Sequence, residues 1–193
     1  GKFYFYLDDV LLSIRDDIKD FDADSKVTCG IVSWYAGATF SDYNMATSGL
    51  NAIKNKKTDI FVADGNYTNI RMDMLTEAKG YIWADTEKTN QSTIHFNQSL
   101  SKNFYLTTTL SDVKPYKDAA DSRNGIVLTK DINGGYRRIV FAMMAPDKVN
   151  FSRLQIIMFD NDDLGEHWTK VTNIDSINFS ARKDAELSIA VTG

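Results

Sequence analysis

Several residue types that carry chemistry are scarce in this chain of 193 residues. Its single cysteine, Cys29, excludes a disulfide within the chain. One cysteine and two histidines cannot supply a Cys/His zinc site with standard spacing. No apolar run approaches the roughly 20 residues that a membrane-spanning helix needs. We therefore expect no metal, no cofactor and no insertion into a membrane.

The chain also lacks the basic excess that is typical of nucleic-acid-binding proteins. It has 22 basic and 26 acidic residues, which gives a formal net charge of −4. The one dense basic run, "KNKK" at Lys54–Lys57, is short and reads as the solvated end of a helix. We therefore predict that nucleic acid is not a partner.

Aromatic residues are plentiful, at 12% of the chain, beside 43% hydrophobic and 25% charged residues. The last two values are those of an ordinary globular protein. Aromatic residues combined with many Thr, Ser and Asn favour β-structure and occur often in proteins that bind glycans. The composition therefore favours a folded, aromatic-rich protein.

The first quarter of the chain shows helical spacing of apolar residues. In "LDDVLLSIRDDIKDF", six apolar residues recur at steps of three and four, which predicts a helix over residues 7–21. A second helix is predicted from Asp42 to about Asn55, with Ser41 or Asp42 as its N-cap. These two segments predict an N-terminal part that contains helices.

The later segments have the pattern of short strands. Runs such as "NGIVLT", "YRRIVFAMM" and "RLQIIMFD" are rich in branched and aromatic residues and are separated by Asn, Asp and Gly. We therefore predict an α+β fold, with N-terminal helices and short strands followed by mainly antiparallel β-structure. The predicted domains are 1–110 and 111–193, and the boundary lies in the polar segment Ser111–Gly125. The alternative is that this segment is a long surface loop of one domain.

The stretch Ser41–Tyr67 resembles the opening of the pectate-lyase-like β-helix in phage tailspikes. The matching parts are the helix pattern "SDYNMATSGLNAIKN", the strand pattern "DIFVA" and the turn "ADGNY". Ala63 stands where proline is common in that family. The resemblance implies an N-terminal cap that covers the open edges of a stacked β-domain.

A second resemblance lies in "NDDLGEHW", which is similar to the Asp-box pattern Ser/Thr-x-Asp-x-Gly-x-Thr-Trp. Asp163, Gly165 and Trp168 match, while Asn161 and His167 replace the usual hydroxyl residues. In an Asp-box the carboxylate binds backbone N–H groups of the turn, glycine permits the turn, and tryptophan packs against the hairpin.

The strands around this box, Tyr136–Val171, look like a blade of the sialidase-type β-propeller of phage endosialidases. The resemblance therefore implies that residues 111–193 begin such a propeller. The alternative is a small β-sandwich that carries the box. If the intact protein is an enzyme, the resemblance implies an endosialidase-like glycoside hydrolase, with this chain inactive alone.

Four residues are candidates for contact with a carbohydrate: Trp34, Tyr35, Trp83 and Arg137. An aromatic ring can cover the apolar face of a sugar, and Tyr81 and Trp168 are further candidates of this kind. Each of these aromatic residues has a place in the hydrophobic core as its alternative. The sialidase resemblance requires arginines that grip a carboxylate, and the chain offers Arg123, Arg137, Arg138 and Arg153. Adjacent strand residues face opposite ways, so Arg137 and Arg138 cannot serve the same site.

The leading functional prediction is a phage tailspike or tail-fibre component that recognises bacterial surface polysaccharide during host attachment. The resemblance implies a location in the virion tail and a homotrimer, and it allows glycan degradation by the intact protein. One alternative is a secreted or surface-located bacterial protein that binds glycans without catalysis. The other is a purely structural virion protein that binds its neighbours.

Overall fold

The described part of the chain is built from strands. A computed structural model describes residues 1–18, 21, 27–46, 75–78, 81–85, 92–100, 104–115, 122–147, 149–175, 177, 179 and 184–192. These residues form thirteen strands and no helix. The strands are β1 (Lys2–Leu7), β2 (Val10–Arg15), β3 (Val27–Trp34), β4 (Ala36–Ala46), β5 (Leu75–Ala78), β6 (Tyr81–Asp85), β7 (Ser92–Leu100), β8 (Phe104–Pro115), β9 (Ser122–Ile132), β10 (Gly135–Ala145), β11 (Arg153–Asp162), β12 (Gly165–Ile174) and β13 (Asp184–Thr192).

The strands form two antiparallel sheets that pack face to face. Sheet A has the order β2-β1-β13-β8-β4-β6-β5, and sheet B has the order β12-β11-β10-β9-β3-β7. The sheets meet in a common core, in which the ring of Phe5 from β1 lies 5.2 Å from that of Phe141 from β10. This arrangement is a β-sandwich.

Alternation along the strands decides which side chains enter this core. In β1, Phe3, Phe5 and Leu7 are buried, whereas Tyr4 and Tyr6 between them are partly exposed. Gly125 in β9 permits close packing within sheet B, because a Cβ atom there would lie 2.1 Å from the carbonyl oxygen of Phe141. The inner faces of both sheets therefore supply a continuous apolar layer.

The prediction of a helix over residues 7–21 is wrong. Residues 2–15 form the β1–β2 hairpin, and its turn consists of Asp8 and Asp9 with φ values of 48° and 65°. Two successive positive φ values are those of a type I′ turn, the kind that joins two strands tightly. The Asp8 N–H also donates to the carbonyl oxygen of Glu186, and the Asp8 carboxylate accepts from the Glu186 N–H.

The reason for this error is a distant pairing partner. β1 pairs along its whole length with β13, at the opposite end of the sequence. The three- and four-residue spacing in residues 7–21 coincides with a hairpin that has a register shift next to Phe5. Tertiary pairing overrides local periodicity here, so the described fold is all-β and the predicted α+β class is incorrect.

The described start of the second predicted helix is also strand. β4 runs to Ala46, and Asp42, one of the two predicted N-caps, lies in it with φ at 49°. The pairing with β8 shifts register between Ser41 and Asn44, so Asp42 marks an irregularity of the strand. The rest of this segment, together with the strand and turn over residues 59–67, lies outside the described residues.

The prediction of a β-rich chain is confirmed, and the strands around the Asp-box form a meander. β9, β10, β11 and β12 pair in sequence, as the strands of a propeller blade do. β9 also pairs with β3, which extends the meander into a larger sheet packed against sheet A. The predicted boundary at 110/111 falls inside β8, and both sheets contain strands from each side of it.

Candidate functional site

Sheet B has a second apolar cluster on its outer face, the face turned away from sheet A. Successive side chains of a strand point to opposite faces of the sheet, so the neighbours of each residue that enters the core with sheet A lie on this outer face. The members come from four neighbouring strands and are almost completely buried: Val32, Trp34, Val127, Val140, Ala142, Ile157 and Phe159. A buried outer face is unusual for an antiparallel sandwich, whose outer face is commonly solvated.

The outer face of sheet B is concave. Trp34 lies in β3 and Trp168 in β12, and three strands separate them in the sheet. At the usual strand spacing, four steps across a flat sheet span about 19 Å. The two indole rings nevertheless lie 6.1 Å apart with an interplanar angle of 33°. Sheet B therefore curls toward its outer face and brings its two sides together there.

Trp34, Trp168 and Arg123 meet in this concavity, and we call them the Trp–Arg cluster. The Arg123 guanidinium carbon lies 5.2 Å from the centre of each indole ring. With the 6.1 Å between the rings, the three groups form a triangle of mutual contacts. A guanidinium at this distance from an indole is attracted by the negative face of the ring. Arg123 therefore holds the two tryptophans against each other.

Two amide side chains extend the cluster. Arg123 Nε donates to Gln155 Oε1 over 2.6 Å, and Gln155 Nε2 donates to Asn173 Oδ1 over 2.8 Å. Because the Gln155 oxygen accepts from the guanidinium, its amide nitrogen is directed toward Asn173. The chain of bonds runs from buried Arg123 to exposed Asn173 on the edge strand β12.

Exposure increases sharply across the cluster. Trp34 and Arg123 are 6% and 5% exposed, whereas Trp168 is 47% exposed. Val171, on the same face of β12 as Trp168, is also exposed. The cluster thus presents one indole to solvent and supports it from below with an arginine and a second indole.

The indole N–H of Trp34 is a buried hydrogen-bond donor. Its indole Nε1–H is inaccessible to solvent and has no hydrogen-bond partner among the residues that the structure describes. An unsatisfied buried donor costs about 1–3 kcal/mol. Such groups are rare in folded proteins, so this N–H requires an explanation.

A second arginine occupies the same face farther along the strands. Arg138 is fully buried, lies 4.2 Å from the centre of the Tyr136 ring, and donates to Thr129 Oγ1 over 3.3 Å. The Tyr136 hydroxyl accepts from Asn161 Nδ2 over 2.9 Å. Asn161, which aligns with the first position of the Asp-box, therefore anchors Tyr136 at the outer face.

Arg137 points the other way and forms an ion pair. Its Nε and Nη2 atoms each donate to one carboxylate oxygen of Asp160 over 2.7 Å. These two bonds lower the pKa of Asp160 below its ordinary value, although burial acts in the opposite direction. Arg137, predicted to contact a carbohydrate, is thus engaged across β10 and β11 and lies away from the Trp–Arg cluster.

The turn of the predicted Asp-box joins β11 to β12. Gly165 has a φ of 85°, which glycine adopts without strain. The carboxylate that accepts the backbone N–H of Leu164, over 2.9 Å, belongs to Asp162. Asp163 is exposed, and its carboxylate lies beside Gly134 of the neighbouring turn. Trp168 follows on β12 and packs on the outer face.

The other two predicted contact residues lie elsewhere. Tyr35 stands at the corner between β3 and β4, with φ at 46°, and its carbonyl oxygen accepts from Ser122 Oγ over 2.6 Å. Trp83 lies in β6 of sheet A, opposite Thr39. The structure therefore brings together Trp34 and Trp168, but places Tyr35 at a corner and Trp83 in the other sheet.

Sequence reasoning missed the two amides, Gln155 and Asn173. The available signal was alternation, because Gln155 lies two residues before outward-facing Ile157 in "RLQIIMFD". Asn173 pairs with Gln155 across β11 and β12, which requires knowledge of the register. The register itself includes a shift next to Phe159 that the sequence does not reveal.

Neither metal ligation nor a membrane-spanning helix is found in the described ranges. No three His, Cys, Asp or Glu side chains in them are grouped to hold a metal ion. None of their segments is a helix with the length and hydropathy to cross a bilayer. Comparisons with protein-family models, curated proteins and solved structures found no match to this chain.

Proposed function

We propose that this β-sandwich binds carbohydrate on the concave outer face of sheet B, with Trp168 as the platform on which a sugar ring stacks. The observation that carries the proposal is a half-exposed indole supported by a buried indole and a buried guanidinium. A large aromatic ring that reaches solvent in a fixed orientation offers an apolar surface to the C–H face of a pyranose.

The surroundings of Trp168 suit a sugar. Because Trp34 and Arg123 hold the ring, little side-chain freedom remains to be lost on binding. Asn173 stands on the same face of β12, and its amide can exchange hydrogen bonds with sugar hydroxyls. The outer face therefore combines an aromatic platform with a nearby polar group, the combination that small-molecule sites commonly use.

The biological setting follows from the sequence resemblances and stays a prediction. We propose bacterial surface polysaccharide as the ligand and a phage tail as the location, in a homotrimer. The support is the Asp-box-like turn ahead of Trp168, in which Gly165 has a positive φ, although Asp162 rather than Asp163 accepts the backbone N–H of the turn. A secreted or cell-surface glycan-binding protein uses the same face in the same way.

The first prediction concerns Trp168. On an array of bacterial and animal glycans, the chain binds a defined subset, and Trp168→Ala weakens that binding by about 30-fold, the loss expected for a central aromatic contact. Affinities measured by titration calorimetry provide the number, and thermal unfolding shows that the variant is folded.

The matched control is Leu164→Ala. Leu164 is 89% exposed at the tip of the same β11–β12 hairpin, so its loss leaves the outer face intact. We expect its affinity to stay within about twofold of the wild type, as for a residue outside the contact region. Equal affinities of Trp168→Ala and wild type would refute the proposed site, and no binding to any glycan would refute the function.

A further inference from the structure

Trp34 has a hydrogen-bond donor that is not used when a sugar stacks on Trp168. Its indole N–H is buried and finds no acceptor in the described part of the chain. A buried donor without a partner is destabilising and rare in folded proteins, and a ligand that supplies an acceptor removes that cost. The donor lies in a ring that directly contacts Trp168.

We propose that the Trp34 N–H donates a hydrogen bond to the carbonyl oxygen of an acetamido group, so that the glycan bound at Trp168 carries an N-acetylated sugar. This inference rests on the proposed function and names the ligand class of the same site. Trp34 thereby becomes the residue that determines specificity, while Trp168 provides the stacking surface.

The surroundings of the donor favour an acetamido group over the other substituents of sugars. Trp34 belongs to an apolar cluster with Val32 and Phe159, and an indole nitrogen donates but cannot accept. An acetamido group offers a carbonyl acceptor to the N–H and a methyl group to the apolar neighbours.

A hydroxyl brings a donor of its own that needs an acceptor, and a carboxylate has no methyl group to place against the apolar neighbours Val32 and Phe159. Both are therefore less suited to this position.

The approach to this donor passes Trp168. Trp34 and Arg123 are buried, while Trp168 is half-exposed on the edge strand β12 and contacts both. A sugar that stacks on Trp168 is therefore placed next to the indole ring of Trp34. The acetamido group then enters beside the indole as the sugar ring stacks.

The test of ligand class is a glycan array built from matched pairs. Each pair differs at one carbon, which carries an acetamido group in one member and a hydroxyl in the other. Pairs with gluco, galacto and manno configuration and both anomers are included, together with uronic acid glycans. We expect bound glycans to be acetamido members, with affinities at least about tenfold above those of their hydroxyl partners, the effect of one hydrogen bond.

The test of the donor replaces the Trp34 N–H while keeping the ring shape. Trp34→benzothienylalanine has sulfur in place of N–H. We expect its affinity for acetamido glycans to fall about tenfold. Because the free protein loses no hydrogen bond, its unfolding temperature stays equal or rises. Leu164→Ala is the control, since this exposed residue at the tip of the β11–β12 hairpin lies outside the cluster, and affinity stays within about twofold.

The outcomes separate this inference from the proposed function. Glycans that bind through Trp168 without preference for the acetamido member, or uronic acid glycans alone, overturn the inference and leave the function standing. A lower unfolding temperature for Trp34→benzothienylalanine also overturns it, because the N–H then has an internal partner. Absence of binding to every glycan overturns both.

Discussion

At the scale of single residues, the Arg137–Asp160 ion pair couples the stability of sheet B to pH. The guanidinium donates twice to a largely buried carboxylate and thereby lowers the pKa of Asp160 from its ordinary value of 3.8. A carboxyl group with a lower pKa in the folded state stabilises the fold above its ordinary pKa. That contribution is lost as pH falls through the folded-state pKa.

We therefore expect Asp160→Asn to lower the free energy of unfolding at pH 7 by about 2 kcal/mol, the contribution of hydrogen bonds to a charged group. The deficit shrinks below about pH 4, because Asp160 begins to protonate there in the unfolded state and protonates in the folded state only at lower pH. Urea denaturation at several pH values measures this difference.

The control for this prediction is Asp175→Asn. Asp175 pairs with Arg153 in an exposed ion pair, and such pairs contribute about 0–1 kcal/mol. Its effect at pH 7 should therefore be smaller than that of Asp160→Asn. A deficit for Asp160→Asn that is equal at pH 7 and pH 3 would contradict the assignment of the stabilising bond to the ionised carboxylate.

At the scale of elements, a mutation in the turn of the β1–β2 hairpin can distinguish the observed hairpin from the helix predicted over residues 7–21. Asp9 has a φ of 65°, a conformation that costs most residues other than glycine about 1–2 kcal/mol and costs Asp and Asn less. In a helix over residues 7–21, glycine at this position would instead destabilise by about 1 kcal/mol relative to alanine.

The hairpin predicts that Asp9→Gly raises the free energy of unfolding by about 1 kcal/mol, because the turn no longer holds a strained residue. Asp9→Ala should lower stability, since alanine tolerates positive φ poorly. Chemical denaturation of the three proteins gives the order. Alanine above glycine in stability would contradict the type I′ turn and support the helix.

Sequence patterns correctly predicted strands whose own residues favour β-structure. "YRRIVFAMM" and "RLQIIMFD" fall within β10 and β11. Each is rich in branched and aromatic residues and is bounded by turn residues, which is the local signal of a strand. The helix over residues 7–21 was predicted wrongly because β1 acquires its conformation from β13, far away in sequence. Local periodicity contains no information about such a partner.

Only part of the candidate site was predictable, again because local sequence patterns contain no information about tertiary contacts. Trp34 and Trp168 were both recognisable as aromatic residues with a possible binding role. Their contact depends on the curl of sheet B across β9, β10 and β11, which no local pattern encodes. The position of Arg123 against both rings follows from that curl as well.

At the scale of the whole molecule, the two faces of sheet B have different roles. The inner face completes the core with sheet A, and the outer face holds a second cluster with the Trp–Arg cluster at its side. The outer face of sheet A provides a natural comparison. There Tyr4 and Tyr6 of β1 are partly exposed beside exposed Leu11 and Ile14 of β2. We propose that the ligand binds sheet B, where Trp34 and Arg123 support the exposed Trp168 ring.

The most direct measurement is an NMR titration of ¹⁵N-labelled protein with the glycan that binds best on the array. We predict that the indole N–H signals of Trp34 and Trp168 and the backbone amides of residues 168–173 shift on binding, while those of Tyr4 and Tyr6 stay unchanged. Shifts confined to β1 and β2, with the Trp34 and Trp168 signals unmoved, would contradict the central claim that carbohydrate binds the concave face of sheet B.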